Sequence, residues 1–192
     1  RCHPSVATMR EIAVIAKTPQ LERAEIAYLL DAGVMGIQLP RTESRANLEE
    51  LIGYVKYPPM GTRAGAPGYA NTYHIWPDDP AGWLTACNET TVIVGHIETA
   101  KGYKNAEEII TTPGLDMLYV GPYDLSISLG HPGQYDHPVV AKATSEIMQL
   151  CIKHKVPFGT SASGPAAAGE MIAKGARFFE TADEIMLITE GA

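Results

Sequence analysis

Cysteine is scarce in this chain and forms no pattern. Cys2, Cys87 and Cys151 are widely spaced and odd in number. No C-x-x-C pair and no zinc-type Cys/His spacing occurs. That argues against a disulfide framework or structural zinc and predicts reduced thiols in the cytoplasm. Long apolar runs are also missing: none approaches the ~18–20 residues that cross a bilayer, so no membrane contact is expected. Positive charge is short. Fifteen Lys and Arg against 22 Asp and Glu leave a net charge of −7, which is wrong for a nucleic-acid surface. A nucleotide loop is absent too. Gly159-Thr160-Ser161-Ala162-Ser163-Gly164 comes nearest to a phosphate-binding turn but lacks the P-loop lysine. Ser161 and Ser163 have no evident His/Asp partner set, so serine hydrolysis is not supported. The opening Arg1-Cys2-His3-Pro4 has neither Met nor signal-peptide architecture and reads as a cut or processed start.

What is present is an ordinary globular composition, 45% apolar and 19% charged over 192 residues, enough for one domain with a real core. Strand and helix signals alternate. Ile12–Ala16, Met35–Leu39, Thr91–Ile97, Asp116–Val120, Phe158–Thr160 and Phe178–Glu180 read as strands. Helices are expected at Leu21–Ala32, from Thr42 to about Val55, and at Asp79–Asn88. Others are expected at Asn105–Thr111, His137–His154, Pro165–Lys174 and from Asp183, which reads as a cap. In the helix from His137, Val140, Ile147, Leu150 and Cys151 are the expected core positions. Between them lies a Pro/Gly-rich, aromatic stretch at 57–78, long enough to be a lid. About six β/α units in one domain, 1–192, predict an α/β fold of the TIM (β/α)₈ type. A full barrel usually takes roughly 200–250 residues. The chain therefore reads as incomplete at the N-terminus and short at the last helix.

Two strands end in sequences that carry chemistry. Val94-Gly95-His96-Ile97-Glu98-Thr99 and Val120-Gly121-Pro122-Tyr123-Asp124-Leu125-Ser126 each run from an apolar strand to a lone carboxylate before a helix. In a parallel barrel Glu98 and Asp124 fall at the C-terminal rim, where active sites lie. Alone, either would be an ordinary cap or loop ion pair; as a pair they suit a hard divalent cation such as Mg²⁺ or Mn²⁺. Gly121-Pro122 allows close backbone approach, and the following helix N-terminus favours an anionic ligand. His96 stands at i, i+2 to Glu98 and shares its side of the strand. It reads either as a site residue or as a buried strand histidine bonded to backbone.

Tyr57-Pro58-Pro59-Met60-Gly61-Thr62-Arg63, Ile97-Glu98-Thr99, Pro113-Gly114-Leu115-Asp116, Gly121-Pro122-Tyr123-Asp124-Leu125-Ser126 and Leu129-Gly130-His131-Pro132-Gly133 follow one another in this order. Together they resemble the HpcH/HpaI aldolase family of metal-dependent class II 2-oxo-acid aldolases, over about residues 12 to 190. The resemblance implies a TIM barrel that reversibly cleaves a 4-hydroxy-2-oxo acid to pyruvate and an aldehyde through a metal-held enolate. It implies Glu98 and Asp124 as ligands of a divalent cation (Mg²⁺, Mn²⁺ or Co²⁺), and a substrate carboxylate against the backbone of Gly121, Pro122, Tyr123 and Asp124. It also implies a homo-oligomer with exchanged terminal helices.

Three positions depart from the family pattern. His96 stands where the family has Gln, as a third metal ligand or a donor to the keto oxygen. Lys17 stands where it has Arg, and offers a point charge in place of a bidentate fork. Of the Asp-x-x-His dyad for proton transfer, only His3 is a candidate. Arg63 reads as a structural anchor, and Tyr69, Tyr73, His74 and Trp76 as an aldehyde pocket or an interface. His131 and His137 read as loop or capping residues. Two other readings stay open. One is a barrel that binds metal and 2-oxo acid without catalysis; the other is an oxaloacetate decarboxylase or acyl-CoA lyase on the same enolate site.

Overall fold

Several helix starts in this chain are set by polar side chains, and the strands follow from the apolar runs between them. The structure, a computed structural model, describes residues 12–65, 78–181 and 183–191. Cys2, His3, Tyr69, Tyr73, His74 and Trp76 lie outside the described residues. Ser44 accepts from the Asn47 N–H to open α2 (Arg45–Val55), after α1 (Arg23–Asp31). Asp79 accepts from Gly82 at the start of α3 (Pro80–Thr90), and Thr99 from Gly102 at α4 (Ala100–Lys104). Each bond satisfies an N–H that the first helical turn leaves free. The helix expected at Asn105–Thr111 is α5 (Ala106–Ile110); Asn105 separates it from α4 and ties its side-chain amide to Glu43 O.

Next come α6 (Pro122–Ser128), α7 (Pro138–His154), α8 (Pro165–Ala173) and α9 (Glu184–Glu190). Asp183 caps α9 by accepting from Met186, as its position suggested. His137 likewise accepts from the Val139 N–H, while its ring stacks on His131 with centroids 3.5 Å apart.

Six parallel strands pair in sequence order: β1 (Ile15–Lys17), β2 (Gly36–Leu39), β3 (Val92–Ile97), β4 (Met117–Val120), β5 (Phe158–Ser161) and β6 (Phe178–Glu180). Sequential parallel pairing with a helical crossover each time is the wiring of a TIM barrel. The sheet is curled strongly enough for Gln38 on β2 to reach Glu180 on β6 across the interior, 3.0 Å apart. It is a half-barrel: among the described residues β1 and β6 are the two edges.

The outer face carries Ile37, Leu39, Ile93, Ile97, Leu118, Val120 and Phe158. They pack into one core with Ile26 and Leu30 of α1, Leu48 and Leu51 of α2, and Ala143, Ile147 and Cys151 of α7. On α7, Val140, Ile147 and Cys151 are buried as expected, but Leu150 is only half-buried and Ala143 and Met148 take its place. The first strand is shorter than its β-branched run. Ile12 is exposed, and the ladder begins at Ile15 because its partner strand begins at Gly36.

The chain leaving α2 is anchored at its start. Lys56 Nζ donates to Asn88 O and Thr91 O, and Asn88 bonds both the N–H and the C=O of Tyr57. Arg63 is buried, 2.9 Å from Asp31 and 4.8 Å from the centre of the Tyr57 ring. That is the anchoring role its sequence context suggested.

Candidate active site

The interior face of the half-barrel is polar, unlike its outer face. Alternation along parallel strands sends Lys17, Gln38, His96, Tyr119, Ser161 and Glu180 inward, and the register sets His96 beside Tyr119 and Ser161 beside Glu180. At the C-terminal rim above them, β3 and β4 deliver the two carboxylates. Glu98 follows β3 directly. Asp124 does not end a strand: it lies in the first turn of α6, which begins at Pro122.

Glu98 is 4% exposed. Its Oε1 accepts the N–H of Arg41 at 2.8 Å, from a residue held in the left-handed region at φ 50°. Its Oε2 lies 3.1 Å from His96 Nε2. Burial pushes the Glu98 carboxyl above the usual carboxylate range. The Arg41 N–H and the charge of Lys17 pull it back, and the charge of Asp124 pushes it up again.

His96 is 2% exposed. Burial, reinforced by the charge of Lys17, drives its pKa down to about 3, so the ring is neutral at pH 7. Nδ1 lies 3.2 Å from the Gln38 side-chain nitrogen, and the ring packs edge-on against Tyr119 at 4.6 Å. Nε2 has no aligned hydrogen-bond partner; its 3.1 Å approach to Glu98 is close but off-axis. The backbone of His96 is bonded to Thr42 through both its N–H and its C=O.

Gly121 contributes by having no side chain. A Cβ there would sit 2.3 Å from His96 Nε2 and 3.0 Å from Glu98 Cβ. Its N–H is bonded to Ile97 O and Pro122 has none, so the free amides of this stretch are those of Tyr123 and Asp124 in the first helical turn. Tyr123 is exposed, and Lys17 ends β1 as an exposed cation opposite Gln38. A cleft of about 800 Å³ opens beside the rim and touches Pro122, Ser161 and Glu180; Glu98, His96 and Asp124 do not line it.

Glu98 and Asp124 fit a hard divalent cation. A buried carboxylate beside a second carboxylate is a charge arrangement that a bound cation would relieve. Among the described residues no group of three or more His, Cys, Asp or Glu is arranged to hold a metal ion, so a cation here would rest on the two carboxylates alone among these side chains. Reading the sequence for motifs missed Gln38, Tyr119 and Glu180. Their signal was there: polar side chains at inward positions of strands otherwise made of Ile, Leu, Val and Phe.

Sequentially paired parallel strands with polar groups gathered at their C-terminal ends define a TIM-barrel-type α/β protein. Residues 6–190 match the model of the HpcH/HpaI aldolase/citrate lyase family. The chain is 32% identical over 182 residues to the 2-dehydro-3,6-dideoxy-6-sulfogluconate aldolase of Pseudomonas putida, covering 94% of this chain and 68% of that protein. It is 31% identical over 174 residues to the 5-keto-4-deoxy-D-glucarate aldolase of Shigella dysenteriae, covering 90% and 66%. It superimposes on the HpcH/HpaI aldolase from Desulfitobacterium hafniense with a TM-score of 0.89 at 28% identity, over 97% of this chain and 72% of that one. The chain belongs to the HpcH/HpaI aldolase/citrate lyase family, and it spans about two thirds of the length of the aldolases it matches.

Proposed function

We propose that this protein is a divalent-metal-dependent carbon–carbon lyase. In this reading it reversibly cleaves a 4-hydroxy-2-oxo acid to pyruvate and an aldehyde. The observation that carries the reading is the buried Glu98, set against Asp124 and the unpartnered Nε2 of a neutral His96 at one rim. The aldolase names of its relatives support the reaction class.

Glu98 and Asp124 would hold the cation, Mg²⁺, Mn²⁺ or Co²⁺. When bound it supplies Lewis-acid polarisation of the 2-oxo acid's carboxylate and keto oxygens. The free amides of Tyr123 and Asp124 receive the substrate carboxylate. His96 Nε2 and the Lys17 ammonium face the oxygen on which negative charge develops, a preorganised donor and charge of the kind that stabilises oxyanions. The C3–C4 bond breaks as the 4-hydroxyl proton leaves to water, the hydroxyl oxygen becomes the aldehyde carbonyl, and C3 takes a proton from water to complete pyruvate.

We further propose that the protein acts as a homo-oligomer in the cytoplasm. Ile185, Leu187 and Ile188 of α9 are largely exposed, an apolar surface that suits a subunit contact. Free Cys87 and Cys151 suit a reducing compartment, and no helix among the described residues is long and apolar enough to cross a membrane.

The test is pyruvate release from a 4-hydroxy-2-oxo acid, coupled to lactate dehydrogenase, with each cation and with EDTA, in wild type and Glu98→Ala. Metal-dependent turnover that the substitution abolishes is the expected result. Cation binding without turnover would replace this reading with a binding-only barrel, and turnover of oxaloacetate alone would replace it with a decarboxylase.

A further inference from the structure

Gln38 and Glu180 belong to strands separated by three others, yet their side chains meet across the open interior. The Gln38 side chain is buried and its amide nitrogen lies 3.0 Å from Glu180 Oε1 and 3.2 Å from His96 Nδ1. A carboxylate only accepts hydrogen bonds, so the nitrogen of the Gln38 amide, and not its oxygen, must face Glu180. That nitrogen carries two protons. One goes to Glu180 and the other points at His96 Nδ1, which must then be the acceptor.

An accepting Nδ1 bears no proton, so the ring's single proton is on Nε2. Nε2 is the atom left without an aligned partner, next to Glu98 and over the Cβ-free face of Gly121. The chain from Glu180 through Gln38 thus decides which face of the imidazole can donate. With the amide reversed, Nδ1 would hold the proton and Nε2 would present a lone pair toward Glu98, two acceptors face to face. We propose that Gln38, oriented by Glu180, is a positioning residue that locks His96 in its Nε2–H tautomer, so that the rim offers a neutral N–H donor to a substrate oxygen. This rests on the reading of the rim as the substrate site.

The test is long-range ¹H–¹⁵N NMR of histidine-labelled protein, paired with steady-state kinetics, for wild type, Gln38→Met and Gln38→Glu. In wild type His96 is expected as Nε2–H. Gln38→Glu places an acceptor at Nδ1 and is expected to move the proton there. Gln38→Met removes the donor, is close in shape, and leaves only the off-axis Glu98 to favour Nε2–H, so a partial shift toward Nδ1–H is expected. Both variants should lose about 10–100-fold in kcat, the range for residues that orient a site group, with KM changed much less. An Nδ1–H wild type, or a tautomer unmoved in both variants, overturns the proposal. A wild type that releases no pyruvate while its tautomer follows residue 38 would remove the aldolase reading and leave the lock standing. A wild type that turns over with the tautomer unmoved would do the reverse.

Discussion

At the residue scale the site depends on one absence. Gly121 has no positive φ to justify it; what requires glycine there is His96, whose Nε2 would stand 2.3 Å from a Cβ. Both neighbours are constrained. His96 is buried on β3 and Glu98 is bonded to Arg41. Gly121→Ala should therefore cost about 1–3 kcal/mol by overpacking and displace the imidazole. Urea unfolding and pyruvate release should fall together. Gly169→Ala on α8 is the control, since nothing lies within 4 Å of its added Cβ and a helical Gly→Ala is neutral or mildly stabilising. A Gly121→Ala protein as stable as wild type would refute the close approach. The Gly-Pro dipeptide was legible in the sequence as a place of close backbone approach, but not what approaches it. The sequence suggested a ligand; the structure adds His96 Nε2, the atom a Cβ on Gly121 would meet first.

At the scale of elements, α2 and α3 are joined by polar side chains as much as by the core. Asn88 near the end of α3 satisfies both backbone groups of Tyr57, and Lys56 reaches past it to two carbonyls at the same helix end. These bonds hold the chain leaving α2 in place beside Arg63. Asn88→Ala strands a buried N–H and a buried C=O, at about 1–3 kcal/mol for each group left unsatisfied. The expected result is a drop of about 2–6 kcal/mol in the urea midpoint analysis at unchanged m-value; a change within experimental scatter would show that water replaces the amide. Element positions were mostly legible, because capping residues and β-branched runs are local signals. The exceptions have local causes. Strand β1 is cut back to where β2 begins to pair, and α6 begins at Pro122, so that Asp124 lies within its first turn and not ahead of the helix.

At the scale of the whole molecule, the six strands among the described residues keep sequence order, and α1, α2, α5 and α7 pack on the outer face of the curled sheet. The described helices differ in how well they are covered. α2 and α7 bury a full stripe, whereas α8 has no fully buried residue and α9 exposes Ile185, Leu187 and Ile188. If α9 joins subunits, light scattering at micromolar concentration should give a multiple of the 20.7 kDa chain mass. Ile185→Lys with Ile188→Lys should then return it to one chain mass. A monomeric wild type would leave those side chains without a partner copy and end the oligomer proposal.

What the amino-acid order determined by itself was the alternating α/β wiring, the parallel sense of the sheet and the family resemblance; the pair Glu98 and Asp124 it put forward as a candidate site. All of these are written in short windows: a period, a cap, or a motif of a few residues. The tertiary structure alone decided what His96 is. Its neutrality comes from burial on β3 and from Lys17 on β1, and its bonding to Gln38 on β2 from their meeting in the interior. Gln38 in turn faces Glu180, 142 positions away in the chain. No local pattern encodes such a contact, because it exists only once the sheet has curled far enough to bring β2 and β6 within hydrogen-bonding distance.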